Sequence, residues 1–511
     1  MLLSAVLVAL ASYAYRDTLL ALASPSAILD ASQAADIVDT GYARYLGNRS
    51  FPNTVAFLGV PYAEPPLGER RFRAPLPLDK ARIAREARGK VVDVTKNPAF
   101  CIQGTTGGYV FGNPVNWPFD HWINQSPNVV IVSVYYRLSS FGFLASPAMR
   151  DPAVGDLNAG FLDQIQALKW VKENIASFGG NPDMVTINGE SAGGSSTELH
   201  LVANEGEKLF NAAIAQSVYR TPLPTPEQQE PLFNFYANHA GCGTGSAADQ
   251  IACLRKASVS ALAMAQDAAV TSAFTASGYN TFHPVIDGKT LTDFPTKSIL
   301  AGNFAKVPLI VGATTNETLS GGSSVSGALK GFFPSITDSD VNALLDAYPL
   351  SEFSSSLQFQ TITGDAELRC ARSILGTEFG KAQKSWTYRY NQPTPGANAV
   401  FHAAENFMMF KGTSTGFNGT TTFNALTPTQ NAFAQELIAY WLSFVRTHDP
   451  NTFKLSRSPT WQPFTTKNSR IVLQEGPGDT TTVSGSFLET QGTEETDRCN
   501  LIASQVLSQQ N

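Results

Sequence analysis

The sequence predicts an α/β protein, and three observations predict it. Strand-like apolar runs such as residues 128–136 alternate with helix-like runs such as residues 161–176, the order from which a sheet covered by helices is built. Residues 307–312 (Val-Pro-Leu-Ile-Val-Gly) are almost unbroken apolar sequence, which marks a strand buried on both faces rather than one. Finally, 511 residues run without a Pro/Ser linker, a charge block or an internal repeat. Length alone would suggest about three domains, but with nothing to divide the chain, one large domain is expected, over residues 24–511. The net charge of −6 is spread without a basic stripe, which argues against a nucleic-acid partner.

The run at residues 184–188 matters most, because Gly189-Glu190-Ser191-Ala192-Gly193 follows it and a small-residue stretch able to start a helix comes next. A serine hydroxyl becomes a useful nucleophile when a sharp strand-to-helix turn lifts its Oγ out of the sheet, and such a turn needs small residues two before and two after. Gly-x-Ser-x-Gly alone is weak evidence, since a chain with this glycine content produces roughly 0.24 matches by chance. A second match at residues 412–416 follows Phe407-Met408-Met409-Phe410-Lys411 and has no strand before it; its turn-forming composition predicts a loop. For Ser191 the competing interpretation is a tight structural turn.

A serine nucleophile needs a base and an acid, carried downstream on loops after later strands. Only His402 and His448 lie far enough along. Asp449-Pro450 follows His448 and closes the preceding apolar helix, so His448 is expected to end that helix. His402 follows the strand-like residues 386–390 and is the candidate base. The loop after residues 307–312 delivers Glu317, the candidate acid. Asp287 is its nearest rival, but Asp287-Gly288 is a turn dipeptide and is expected to be structural.

With the elbow, residues 57–66 with Arg71-Phe72-Arg73, residues 158–163 and 167–171, and Asn174-Ile175 with residues 178–182 make a specific set. On these motifs the chain resembles the type-B carboxylesterase/lipase family, which includes fungal lipases and cholinesterases. The resemblance spans about residues 35 to 500 and implies an α/β-hydrolase fold with a mostly parallel central sheet flanked by helices. It implies Ser191 as nucleophile, Glu317 as acid and His402 as base, cleaving a small-molecule or lipid ester through an acyl-enzyme; no cofactor is expected, and no metal, because no Cys or His ligands occur at zinc-like spacing. It further implies Gly107, Gly108 and Ala192 as oxyanion-hole donors, and a disulfide between Cys242 and Cys253, closing a loop worth about 3 kcal/mol in the chain-entropy model.

The chain also departs from the family pattern. Cys101-Ile102-Gln103-Gly104 runs almost directly into Thr105-Thr106-Gly107, where relatives carry a surface loop, a second cysteine, and a strand leading into the oxyanion loop. One strand and the lid segment are therefore expected to be missing, with Cys101 left as a free thiol. The alternative function that follows is a non-catalytic or truncated family member, a binding module or a decayed product. The sequence does not decide whether Cys370 and Cys499 pair.

Leu2 to Leu10 is apolar and small-residue cleavage sites follow it, the second at Ala21-Leu22-Ala23, whereas Arg16 and Asp17 interrupt any longer apolar run. A cleaved signal peptide over residues 1–23 and a secreted protein with no stable membrane anchor are expected. Glycosylation sequons at Asn48 and Asn418 fit that route. A third, at Asn316, overlaps the candidate acid and is expected to be unmodified.

Overall fold

Apolar alternation along the chain builds a six-stranded sheet with helices on both faces. The computed structural model describes residues 36–511 except 52, 98–107, 111, 113, 205, 271–273, 275–277, 416–420 and 466. The expected leader over 1–23, Cys101, Gly107 and the sequon at Asn418 lie outside the described residues.

Five short strands come first: β1 (Ile37–Asp39), β2 (Arg44–Leu46), β3 (Asn48–Phe51), β4 (Thr54–Ala56) and β5 (Val91–Asp93). They form a three-stranded sheet and a hairpin beside the main body. The central sheet runs β13-β12-β9-β8-β7-β6, from β6 (Thr186–Glu190), β7 (Ala212–Gln216), β8 (Leu309–Thr314), β9 (Ser385–Tyr390), β12 (Ser469–Leu473) and β13 (Phe487–Thr490). All neighbours are parallel except the β12–β13 pair. Successive residues point to opposite faces of a strand. Thus Ala213, Ala215, Leu309 and Val311 enter one core, while Ala212, Ile214, Ile310, Trp386 and Tyr388 enter the other. Every residue of β7 and β8 is buried, as expected of central strands covered on both sides.

The helices that frame the site are α1 (Ala159–Asn174), α2 (Ala192–Val202), α3 (Ser355–Gly364), α4 (Cys370–Ala382), α5 (Ala404–Met409) and α6 (Pro428–Thr447). A single π-helical turn, Asp365–Arg369, joins α3 to α4. α6 begins on a reciprocal cap, Thr427 with Gln430, with Pro428 at its first turn. Such caps satisfy backbone N–H groups that have no partner within the helix. It stops at His448, which takes the left-handed conformation at φ 56°. His448 thus ends a helix, as expected.

Three features differ from expectation or complete it. Residues 128–136 form no strand, although their composition is that of one; among the described residues the central sheet stops at β6. The second Gly-x-Ser-x-Gly is no simple loop: Thr413–Thr415 is strand β10, paired antiparallel with β11 (Thr421–Phe423). Cys370 and Cys499, undecided in sequence, are joined across 129 residues, and Cys242 and Cys253 are joined across 11. Among the described residues no helix is long and apolar enough to cross a membrane.

Candidate active site

Ser191 stands where β6 turns into α2, with φ 57° and ψ −118°, a conformation that costs a non-glycine residue on the order of 1–3 kcal/mol. Its N–H extends the ladder by donating to the Gln216 carbonyl at 3.0 Å, and its own carbonyl accepts from Ser195 N at 2.9 Å to open the helix. The turn is tight enough that a Cβ on Gly189 would lie 2.2 Å from the Gly193 carbonyl oxygen. On the helix side the glycine that packing requires is Gly194, whose Cβ would lie 2.5 Å from the Gln216 oxygen; a Cβ on Gly193 would meet open space. The motif's second glycine is therefore not the residue that space constrains.

Glu317 follows β8 by three residues and His402 follows β9 by twelve. The two loops are laced together: Asn316 N donates to the Val400 carbonyl at 3.0 Å, Val400 N donates to Asn316 Oδ1 at 3.2 Å, and Thr314 Oγ1 donates to the Val400 carbonyl at 3.0 Å. His402 then bridges the other two groups. Its Nε2 lies 2.8 Å from Ser191 Oγ and its Nδ1 lies 2.8 Å from Glu317 Oε2. Glu317 is fully buried, and its Oε1 accepts from Thr314 N at 3.0 Å. Asp287, the rival acid, instead accepts from the backbone N–H groups of residues 289–291, the work of a turn.

Sequence reasoning missed two further carboxylates. Glu190 Oε1 comes within 3.5 Å of His402 Nε2, and Glu405, fully buried, accepts from Tyr388 Oη at 3.2 Å. Burial pulls the His402 imidazolium down, but Glu190, Glu317 and Glu405 outweigh it and lift its pKa to about 9. Burial also pushes the Glu190 carboxyl up, and raises that of Glu405 to about 8 with help from Glu190 and Glu317. Several carboxylates around one imidazole cannot all hold charge in a buried site. Their adjacency to the serine and three residues beyond the histidine was the available signal.

These side chains open on a cavity of about 1790 Å³ lined by Ser191, Ala192, His402 and Gly108. Trp117, Phe119, Trp122, Phe401, Phe407 and Phe410 supply aromatic wall. Glu190 and Arg446 are the only Asp, Glu, Lys or Arg side chains among its described lining residues, a composition suited to an apolar ligand with few polar anchors. Gly108, at φ 59°, packs so closely on Tyr219 that a Cβ would lie 2.7 Å from its ring.

Comparison with known proteins agrees with this architecture. The profile of the carboxylesterase family matches residues 34–110 and 100–489, two stretches that meet at the departure noted around Cys101 to Gly107. Lipase 5 of Diutina rugosa is 32% identical over 399 residues, covering 63% of this chain and 71% of the lipase. Secreted lipase 1 of Botryotinia fuckeliana is 28% identical over 501 residues, covering 80% and 83%. The crystal structure of Aspergillus niger EstA superposes with a TM-score of 0.79 at 28% identity, covering 93% of this chain and 99% of EstA.

Proposed function

Because the chain belongs to the carboxylesterase family and is thereby a carboxylic ester hydrolase of α/β-hydrolase fold, we propose that it works through an acyl-enzyme on Ser191. The observation that carries this reading is the pair of contacts through one imidazole, Ser191 Oγ to His402 Nε2 and His402 Nδ1 to Glu317 Oε2, both 2.8 Å. His402 takes the hydroxyl proton as Ser191 Oγ attacks the ester carbonyl, and returns it to the departing alcohol. Glu317 holds the imidazole tautomer with hydrogen on Nδ1 and stabilises the imidazolium. Water, deprotonated in turn by His402, then releases the acid. The N–H groups of Gly107, Gly108 and Ala192 serve the developing oxyanion; losing one such donor costs about 10²–10³ in rate.

The substrate is a small-molecule or lipid ester, in keeping with a cavity wall that is mostly apolar and aromatic and with relatives named as lipases. The protein acts outside the cell, as a single catalytic domain from residue 24 after a leader over 1–23 is removed. Two disulfides and the likeness to a secreted lipase support that route. N-terminal sequencing of the secreted protein would test it, and a mature protein retaining residues 1–23 would contradict it. A second reading, a family member that has lost turnover, is favoured by one observation: among the described residues the central sheet ends at β6, the strand that leads into Ser191.

Ser191→Ala is expected to lower hydrolysis of a p-nitrophenyl ester by on the order of 10⁴–10⁶, while Ser414→Ala in the β10 strand leaves it unchanged. Turnover that survives Ser191→Ala refutes the assignment.

A further inference from the structure

β8 delivers the chain only as far as Thr314, and residues 315–320, which carry Glu317, belong to no ladder. They are gripped from behind, one after another, by α3 and the π-helical turn. Arg369 Nη1 donates to the Thr315 carbonyl at 2.9 Å, and Gln360 Nε2 to the Asn316 carbonyl at 3.0 Å. Gly364 sits so close under Glu317 that a Cβ there would lie 2.1 Å from the Glu317 carbonyl oxygen. Thr318 Oγ1 hydrogen-bonds Thr363 Oγ1 at 2.7 Å. Glu367 completes the series: its Oε2 accepts from Leu319 N at 2.7 Å, Ser320 N at 3.0 Å and Thr318 Oγ1 at 3.2 Å.

The grip is itself anchored. Arg220, fully buried, donates from its backbone N to the Glu367 carbonyl at 2.9 Å and from Nη1 to the Ala366 carbonyl at 2.7 Å. A single π turn inside a helix re-aims side chains and recurs at functional sites; here it turns Glu367 inward. Glu367 is fully buried, and its Oε1 has no hydrogen-bond partner among the described residues. Burial raises its carboxyl pKa against the opposing pull of the donors at 318–320. A position that served packing alone would not carry that desolvation cost.

Resting on the ester-hydrolase reading above, we propose that Glu367 is a positioning residue for the reaction. By accepting from Leu319 N and Ser320 N it fixes the loop beyond Glu317, and so holds Glu317 Oε2 against His402 Nδ1. A carboxylate free to drift would leave His402 without a fixed tautomer and with a less stabilised imidazolium. A displacement of about 1 Å at a catalytic site costs roughly 10²-fold, so partial loosening is worth about 10-fold.

The test compares Glu367→Ala with Glu367→Gln, which keeps an acceptor oxygen, by steady-state ester kinetics and by NMR titration of the His402 imidazole. Expected for Glu367→Ala are a kcat about 10-fold lower at unchanged KM, a lower His402 pKa and a weakened Nδ1–H signal, with Glu367→Gln restoring most of each. Should Glu367→Ala not fold, Thr363→Val, which deletes the Thr318 hydrogen bond at constant shape, must move the same quantities in the same direction by a smaller factor. A fall in kcat with the His402 pKa and Nδ1–H signal unmoved overturns the proposal, as does a Glu367→Gln as impaired as Glu367→Ala. Turnover insensitive to Ser191→Ala would instead sink the parent reading, and the His402 titration would still judge the clamp.

Discussion

β8 and the segment at residues 128–136 read alike in sequence, each an apolar, β-branched run, yet they have different fates. β8 is paired on both sides, to β7 and β9, and all six of its residues are buried. Residues 128–136 form no ladder and line the same cavity as β6, with Val130 and Val132 at 40% and 44% exposure. Their far end is tied by Arg137, which forms a two-pronged pair with Asp163 on α1. An apolar run gives the capacity for a strand, but a ladder needs a partner strand beside it. The consequence for the site is uneven support. Glu317 and His402 follow β8 and β9, strands paired on both sides, whereas Ser191 stands at β6, the boundary strand among the described residues.

Filling the flank should produce the largest effect. A variant with a family-like strand inserted between Gln103 and Gly107 is expected to be more soluble and at least about 10²-fold more active on short-chain esters, because closing the sheet also settles the oxyanion residues. Soluble yield and turnover, measured side by side with the chain as it stands, decide the matter; equal values would mean that the open flank is harmless.

The two segments should also differ in what a side chain is worth. Ile310→Ala, in the fully buried β8, should cost about 2–5 kcal/mol, whereas Val130→Ala should stay within about 0.5 kcal/mol. Urea unfolding of both variants measures the contrast, and equal losses would show that residues 128–136 are packed as tightly as β8.

A smaller, directional effect concerns pH. His402 must be neutral at Nε2 to accept the serine proton, and Glu190 leads the carboxylates that raise its pKa to about 9. Activity should therefore rise with pH through that region. Glu190→Gln removes the negative charge and should move the acid limb of kcat/KM to lower pH. A limb unmoved by the substitution would show that Glu190 does not reach the imidazole.

Much of the candidate site was legible because each candidate side chain follows, directly or on a loop, an element that sequence periodicity reveals. β8 and β9 start within two residues of the predicted runs, and the loops after them carry Glu317 and His402. What escaped notice depended on distance in the chain. No local pattern brings Glu367 to residues 318–320, or lifts Glu405 beside Tyr388, because both contacts cross between elements. The strand expected at residues 128–136 failed for a related reason: composition reports burial potential and is blind to whether a partner strand is present. The constraint at Gly194 was overlooked because the motif draws attention to Gly193, while the close contact comes from β7, a strand outside the motif.

The central claim is that Ser191 attacks, and covalent capture tests it most directly. Incubated with diethyl p-nitrophenyl phosphate, which phosphorylates a serine made nucleophilic by a neighbouring base, the protein should gain one diethylphosphoryl group. Peptide mass spectrometry should find it on the peptide containing Ser191, with labelling abolished by His402→Ala. A label on Ser414, or a Ser191 modified equally fast with His402 absent, would contradict the account.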